Sequence, residues 1–222
     1  MPTAPLNDWI TEVLDDDGLS GMGHAQNRDL GNLGLGWLYY GMARVVKPAT
    51  AVVIGSYRGF VPLMMGRALI DNGAGKVIFI DPSLVDPFWR EPDAVRAHFA
   101  KFGLSNIEHH CVTTQDFVKS AAYQNLGEVG LVFIDGYHSH EQARFDYEAF
   151  EPRLAARGVV LFHDSVRIRP SRIYGPDKVY EHRVRDYMLE LRKDPKLQVF
   201  DLPFGDGLTL VRKSAAEETL FQ

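Results

Sequence analysis

The chain is nearly without cysteine: Cys111 stands alone among 222 residues. A single thiol excludes an internal disulfide and any zinc site built on several thiolates. Long hydrophobic runs are missing too. No apolar stretch approaches the ~20 residues that cross a bilayer, and the first residues lack the basic-then-apolar order of a secretory signal. A cytoplasmic location with no membrane partner is the expectation. Positive charge is not in excess either. The formal charge of −5 gives no broad basic field for phosphate contacts, which argues against nucleic acid as a partner. Internal repeats and low-complexity linkers are absent.

What is present is enough apolar material for one substantial core, 45% of the chain. Four short runs rich in Val, Ile, Leu and Phe end in glycine or a polar residue: AVVIG at Gly55, VIFID at Asp81, LVFID at Asp135 and VVLFHD at Asp164. Each reads as a strand buried on both faces. A weaker strand fits near Ile107 to Val112. Helix-length segments separate the runs: Gly59 to Asn72, Glu91 to Phe102, and Ser139 to Ala155, with Pro152 marking a kink or a short new turn. Strand and helix alternate, so the expected fold is α/β, a Rossmann-like doubly wound sheet of seven mainly parallel strands. LQVFDLP and GLTLVRK, near the C-terminus, supply an antiparallel hairpin at its edge.

Outside these units, Asn7 to Leu14, Leu30 to Val46 and Asp177 to Arg192 read as helices. Residues 1–48 are expected to form an N-terminal helical cap on the same domain, and 49–213 the ligand-binding domain. The tail 214–222 includes ETLFQ at Glu218 to Gln222, the pattern left when a picornaviral-type protease removes an added tag.

In open parallel sheets, ligands bind beyond the carboxyl ends of the strands. Gly55, Asp81, Asp135, His163 and Asp164 all fall at that edge. The turn Gly55-Ser56-Tyr57-Arg58-Gly59 lets a ligand approach backbone N–H groups, or else serves packing alone. Asp81 is placed to accept from a ribose diol, or to cap a helix. These two features suit NAD equally, as in an oxidoreductase, or a nucleotide-binding module without catalysis. Neither reading uses the later carboxylates, Asp135 and Asp164.

Five motifs together resemble the class I methyltransferases, and within them the catechol-type O-methyltransferases and their bacterial sugar- and polyketide-modifying relatives. IGSYRGF at Ile54 to Phe60 is similar to that family's cofactor loop, FID at Phe79 to Asp81 to its ribose-binding strand end, and TTQDF at Thr113 to Phe117 to its adenine-contacting turn. FIDGYHSHE at Phe133 to Glu141 and FHDS at Phe162 to Ser165 are similar to its fourth and fifth strand ends. The resemblance, from about Ala51 to Val166, implies an O-methyltransferase using S-adenosylmethionine on a small hydroxylated metabolite. It implies cofactor contacts from Gly55, Ser56, Tyr57, Gly59, Asp81, Thr114, Gln115, Asp135, Gly136 and Tyr137.

The same resemblance implies a divalent ion, magnesium or another, at Asp135, His163 and Asp164. The family's last two ligands are carboxylates or a carboxylate and a carboxamide, so His163 departs from the pattern. Such an ion would lower the pKa of an acceptor hydroxyl. The alternative has Asp164 capping backbone while His163 packs. His138 falls where the catechol-type enzymes place a catalytic lysine, three residues after Asp135, and an imidazole suits proton removal near neutral pH. Its structural alternative is a contact with a neighbour such as Ser165. His109 and His110 read as a strand-end pair, and His140 and Glu141 as helix-face residues. The loop with Arg167, Arg169 and Arg172 meets an anionic acceptor, closes as a lid, or is simply solvated. Trp37, Tyr39 and Tyr40 line an aromatic acceptor pocket or belong to the core, and His24 sits in a Gly-rich loop that covers the site. The exposed terminal elements leave room for a homodimer.

Overall fold

Apolar side chains buried at successive positions, alternately on either side of the sheet, make the central runs strands with two covered faces. The computed structural model describes residues 4–20 and 23–214. Its first half runs α1 (Leu6–Leu14), α2 (Gly36–Val46), β1 (Thr50–Ile54), α3 (Phe60–Asp71), β2 (Lys76–Ile80), α4 (Pro92–Lys101), β3 (Ile107–His110), α5 (Thr114–Phe117) and α6 (Ala121–Gln124). Then come β4 (Val129–Ile134), α7 (His140–Phe150), β5 (Leu154–His163), β6 (Arg169–Ser171), β7 (Tyr180–His182), α8 (Val184–Leu191), β8 (Leu197–Leu202) and β9 (Leu208–Lys213).

Seven strands form one sheet in the order β3-β2-β1-β4-β5-β9-β8. The first five are mutually parallel; β9 is antiparallel to both neighbours. Along β1, Ala51 and Val53 join a core with α1 to α4, whereas Val52 and Ile54 join a second core with α7 and α8. Leu131 and Phe133 of β4 divide from Val132 and Ile134 in the same way. Burying each such side chain contributes roughly 1.5–3 kcal/mol against the entropy of ordering the chain. Trp9 and Tyr39 of the N-terminal helices lie fully inside the first core.

The register positions the site. Ile54 pairs with Ile80 on one side and Ile134 on the other, and Ile134 pairs with Phe162. The next residues, Gly55, Asp81, Asp135 and His163, therefore emerge level along one edge. Strand order reverses between β1 and β4, so a crevice opens there.

Three helical expectations need correction. The helix foreseen from Leu30 starts only at Gly36. Asn27 and Asn32 pair as a bridge, and Gly34 takes φ +58° where an added Cβ would lie 2.2 Å from the His24 carbonyl oxygen. The helix foreseen to Ala155 stops at Phe150: Pro152, without an N–H, sits in a 3-10 turn, Glu151–Arg153, and β5 begins at Leu154. The helix foreseen from Asp177 is confined to Val184–Leu191. Ahead of it β7 pairs antiparallel with β6, and Tyr180 and His182 share a strand period of two. The tail reading falls on residues 215–222, outside the described residues.

Candidate active site

A cleft of about 580 Å³ lies along the strand-end edge. Its first half is built from turns. Gly55 has φ +70°, and a Cβ there would stand 2.3 Å from the Asp135 carbonyl oxygen, so the ends of β1 and β4 meet backbone to backbone. Ser56 caps the following segment, its Oγ accepting from Val61 N at 3.2 Å. Asp81 receives backbone donors on both oxygens, Ser83 N at 2.8 Å and Ser56 N at 3.3 Å. Burial nevertheless raises its pKa, outweighing those donors. Thr114 begins α5, while Gln115 Nε2 donates to Gln142 Oε1 at 2.7 Å. Gln142 in turn donates to Asp146 Oδ1 at 2.8 Å. Asp146 Oδ2 has no partner, and burial pushes that carboxyl up to about 6.

The second half is built from ionisable side chains. Asp135 Oδ1 is hydrogen-bonded to His138 Nε2 at 2.9 Å and to His163 Nδ1 at 3.0 Å. Burial opposes its ionisation, yet the two imidazoles hold it well below the usual carboxylate range. Burial likewise works against charge on His163, but Asp135 and then Asp164 overcome it and raise that group to about 9. Asp164 adopts φ +50°, a conformation that aspartate tolerates better than most residues. Its Oδ2 is 2.6 Å from Arg169 Nη2 and 3.0 Å from His182 Nδ1. Burial raises its pKa, while His182 and His163 prevail and bring it to about 2. His182 stacks on His138 with centroids 4.0 Å apart and planes 5° from parallel. His138 Nδ1 and both nitrogens of His182 are buried without a completed hydrogen bond. Arg169 Nε reaches Asp206 Oδ2 at 2.6 Å, tying the β6–β7 hairpin to the β8–β9 turn.

A family model described as a methyltransferase domain matches residues 52–165, just over half of the chain. The chain belongs to this methyltransferase family. Caffeoyl-CoA O-methyltransferase 1 of Arabidopsis thaliana is 25% identical over 190 residues, which cover 78% of this chain and 66% of that protein; the chain thus spans just under two thirds of that relative. An SAH-bound Podospora anserina methyltransferase superposes with a TM-score of 0.62 at 19% identity, covering 96% of this chain and 90% of its own. An O-methyltransferase from Bacillus cereus in complex with SAH gives 0.66 at 14% identity, covering 95% and 92%. At such identities these two establish the fold.

In this methyltransferase the cleft brings together Gly55, Ser56, Tyr57, Asp81, Thr114, Gln115, Asp135, Gly136, Tyr137 and His138, with His163 and Asp164. Gly59 is outside it; the residue caps α3 and packs on Trp89. Ser165 is not the neighbour of His138, since its hydroxyl pairs with Thr209 at 2.7 Å. His24 lines the cleft, hydrogen-bonded to Tyr39 at 3.0 Å, and burial pushes its imidazole down to about 3. The aromatic pocket is corrected: Tyr39 is core, Tyr40 donates to Asp71 at 2.8 Å, and Trp37 is exposed outside the cleft. Arg167 and Arg172 are exposed, and of the three arginines Arg169 alone lines the cleft. His140 meets Glu190 at 2.8 Å on the helix face, and His109, the penultimate residue of β3, lies beside the Asp81 carbonyl at 3.2 Å.

Residues unforeseen in the sequence are Asp146 and His182. A carboxylate on the buried stripe of α7, between Ala143 and Tyr147, was a signal for the first. His182 became a site residue through the hairpin alone.

The trio expected to hold magnesium does not fit it. Donor atoms within 4.8 Å of one another form two sets among the described residues, Asp135/His138/His163 and His138/Asp164/His182. Asp135 and Asp164 fall in different sets. Each set is two imidazoles to one carboxylate, whereas magnesium takes oxygen, and Asp164 already carries a guanidinium.

Proposed function

We propose that this methyltransferase transfers a methyl group from S-adenosylmethionine to a hydroxyl of a small metabolite. The observation that carries the reading is the division of one cleft into a backbone-lined half and an ionisable half at the sheet's switch point. Its likeness to a plant caffeoyl-CoA O-methyltransferase and to SAH-bound methyltransferases supports it. When bound, the cofactor supplies a sulfonium methyl open to in-line displacement by oxygen.

The residues present suit such a ligand. Gly55 leaves the backbone at the end of β1 open to close approach, and Asp81 is a half-buried acceptor for a ribose diol. Asp146, with Oδ2 unpartnered at the cleft wall, is an acceptor for the adenine amino group, beside Thr114, Gln115, Gly136 and Tyr137. At the other end, Asp135 fixes the tautomer of His138 by taking Nε2–H. His138 is the group that takes the acceptor proton in this reading. Positioning supplies much of the remaining acceleration, because charge is neutralised in the displacement. Residues 1–48 act as the cap over this cleft through His24.

Calorimetry of the folded chain with S-adenosylmethionine and S-adenosylhomocysteine tests the cofactor. Binding of both is expected, and binding of neither sinks the reading. Mass-shift screening of hydroxylated metabolites with the cofactor present then tests transfer: a gain of one methyl group on an acceptor is the expected product.

A further inference from the structure

We propose that Arg169 takes the place of a divalent ion in this site, so that the acceptor oxygen is served by a guanidinium carried on the β6–β7 hairpin. This rests on the methyl-transfer reading above. A catechol-type site needs a cation between its carboxylates for two purposes: to neutralise them and to hold the acceptor oxygen. Arg169 meets the first at Asp164 alone, Asp135 being paired with His138 and His163. Its Nη2 lies 2.6 Å from Asp164 Oδ2, and its Nε lies 2.6 Å from Asp206 Oδ2, in the β8–β9 turn.

The second purpose follows from the geometry of guanidinium. The group carries five N–H donors in a plane, and two carboxylate contacts leave others unspent. Arg169 lines the cleft with its side chain 38% exposed, while Asp164 is 7% exposed. The cation is thus held from behind and open in front. The anchor is itself covered: His182, 3% exposed, stands against the same Asp164 oxygen.

One oxygen of each carboxylate is already engaged. Asp135 Oδ1 is shared by two imidazoles, and Asp164 Oδ2 by Arg169 and His182. The two imidazole-rich donor sets are the strongest argument on the other side, because they suit manganese or zinc better than magnesium.

The experiment uses the full chain saturated with S-adenosylhomocysteine, stripped with chelator, and titrated with magnesium, manganese and zinc by calorimetry and thermal unfolding. Wild type should show no saturable binding at millimolar ion. Arg169→Ala, which frees Asp164, should gain a manganese or zinc site at least about tenfold tighter than wild type, and Arg169→Lys, which keeps the charge, should not. Saturable binding of any of the three ions by wild type overturns the proposal. So does an Arg169→Ala variant that retains cofactor binding yet gains no ion. Should Arg169→Ala fail to fold, Arg169→Gln carries the same test. Absence of cofactor binding in wild type would count against methyl transfer itself, so the two failures are separable.

Discussion

The two halves of the cleft bind by different means. Beside β1 and β2, the contacts are main-chain N–H groups and a half-buried carboxylate, Asp81. Beside β4 and β5, Asp135, His138, His163, Asp164, Arg169 and His182 touch one another in a single network. The first half is therefore sensitive to backbone shape and the second to charge. Substitutions in one should change affinity for the cofactor, and in the other the rate of transfer.

Gly55→Ala should break that separation with the largest effect, because Gly55 abuts the backbone of Asp135. Loss of measurable S-adenosylhomocysteine binding by calorimetry is expected, with stability lowered by roughly 1–3 kcal/mol from the strained φ. Wild-type affinity in this variant would show that the two strand ends are not locked. His138→Ala sharpens the contrast from the other side: turnover should fall about 10²–10⁴-fold, with cofactor affinity nearly unchanged. Parallel single-turnover kinetics and calorimetry read both.

Asp81→Asn should do the converse. Losing charge-assisted bonds to a ribose weakens cofactor binding by about 10–100-fold, while turnover at saturating cofactor is kept. The smallest effect is expected at Asp146. Its folded pKa of about 6 lies above the ordinary 3.8, so the folded chain holds the proton more tightly than the unfolded one. That favours folding at acid pH and is lost as pH rises through about 6. Asp146→Asn should remove this decline and be more stable than wild type at neutral pH, by on the order of 1–2 kcal/mol. Thermal unfolding across pH provides the check; a variant whose pH profile matches wild type would mean that Asp146 is not protonated by burial.

Most of the sheet was legible in the sequence because its strands are continuous apolar runs that end abruptly at Gly55, Asp81, Asp135 and Asp164. The same abrupt ends marked the site, since register places them level. The hairpin that completes the site was not legible. Each of its strands is three residues long, too short for a period of two to stand out against Tyr180, Val184 and Tyr187, which recur at helical spacing. Its ion pairs join Arg169 to Asp164 and to Asp206, and the second of these partners is distant in sequence and without a local signature. The start of α2 was misplaced for another reason: apolar residues at Leu30, Leu33 and Leu35 mimic a helix, and the backbone demands of Gly31 and Gly34 prevail over them.

The bridge from Arg169 to Asp206 couples two hairpins, neither of which belongs to the five parallel strands. A lineage can therefore exchange the hairpin end of the cleft as a cassette while the parallel-strand scaffold is inherited intact. The condition is co-inheritance: a new residue at 169 without a matching one at 206 leaves a carboxylate at the cleft mouth with no counter-charge, so the two positions should vary together wherever acceptor choice has diverged.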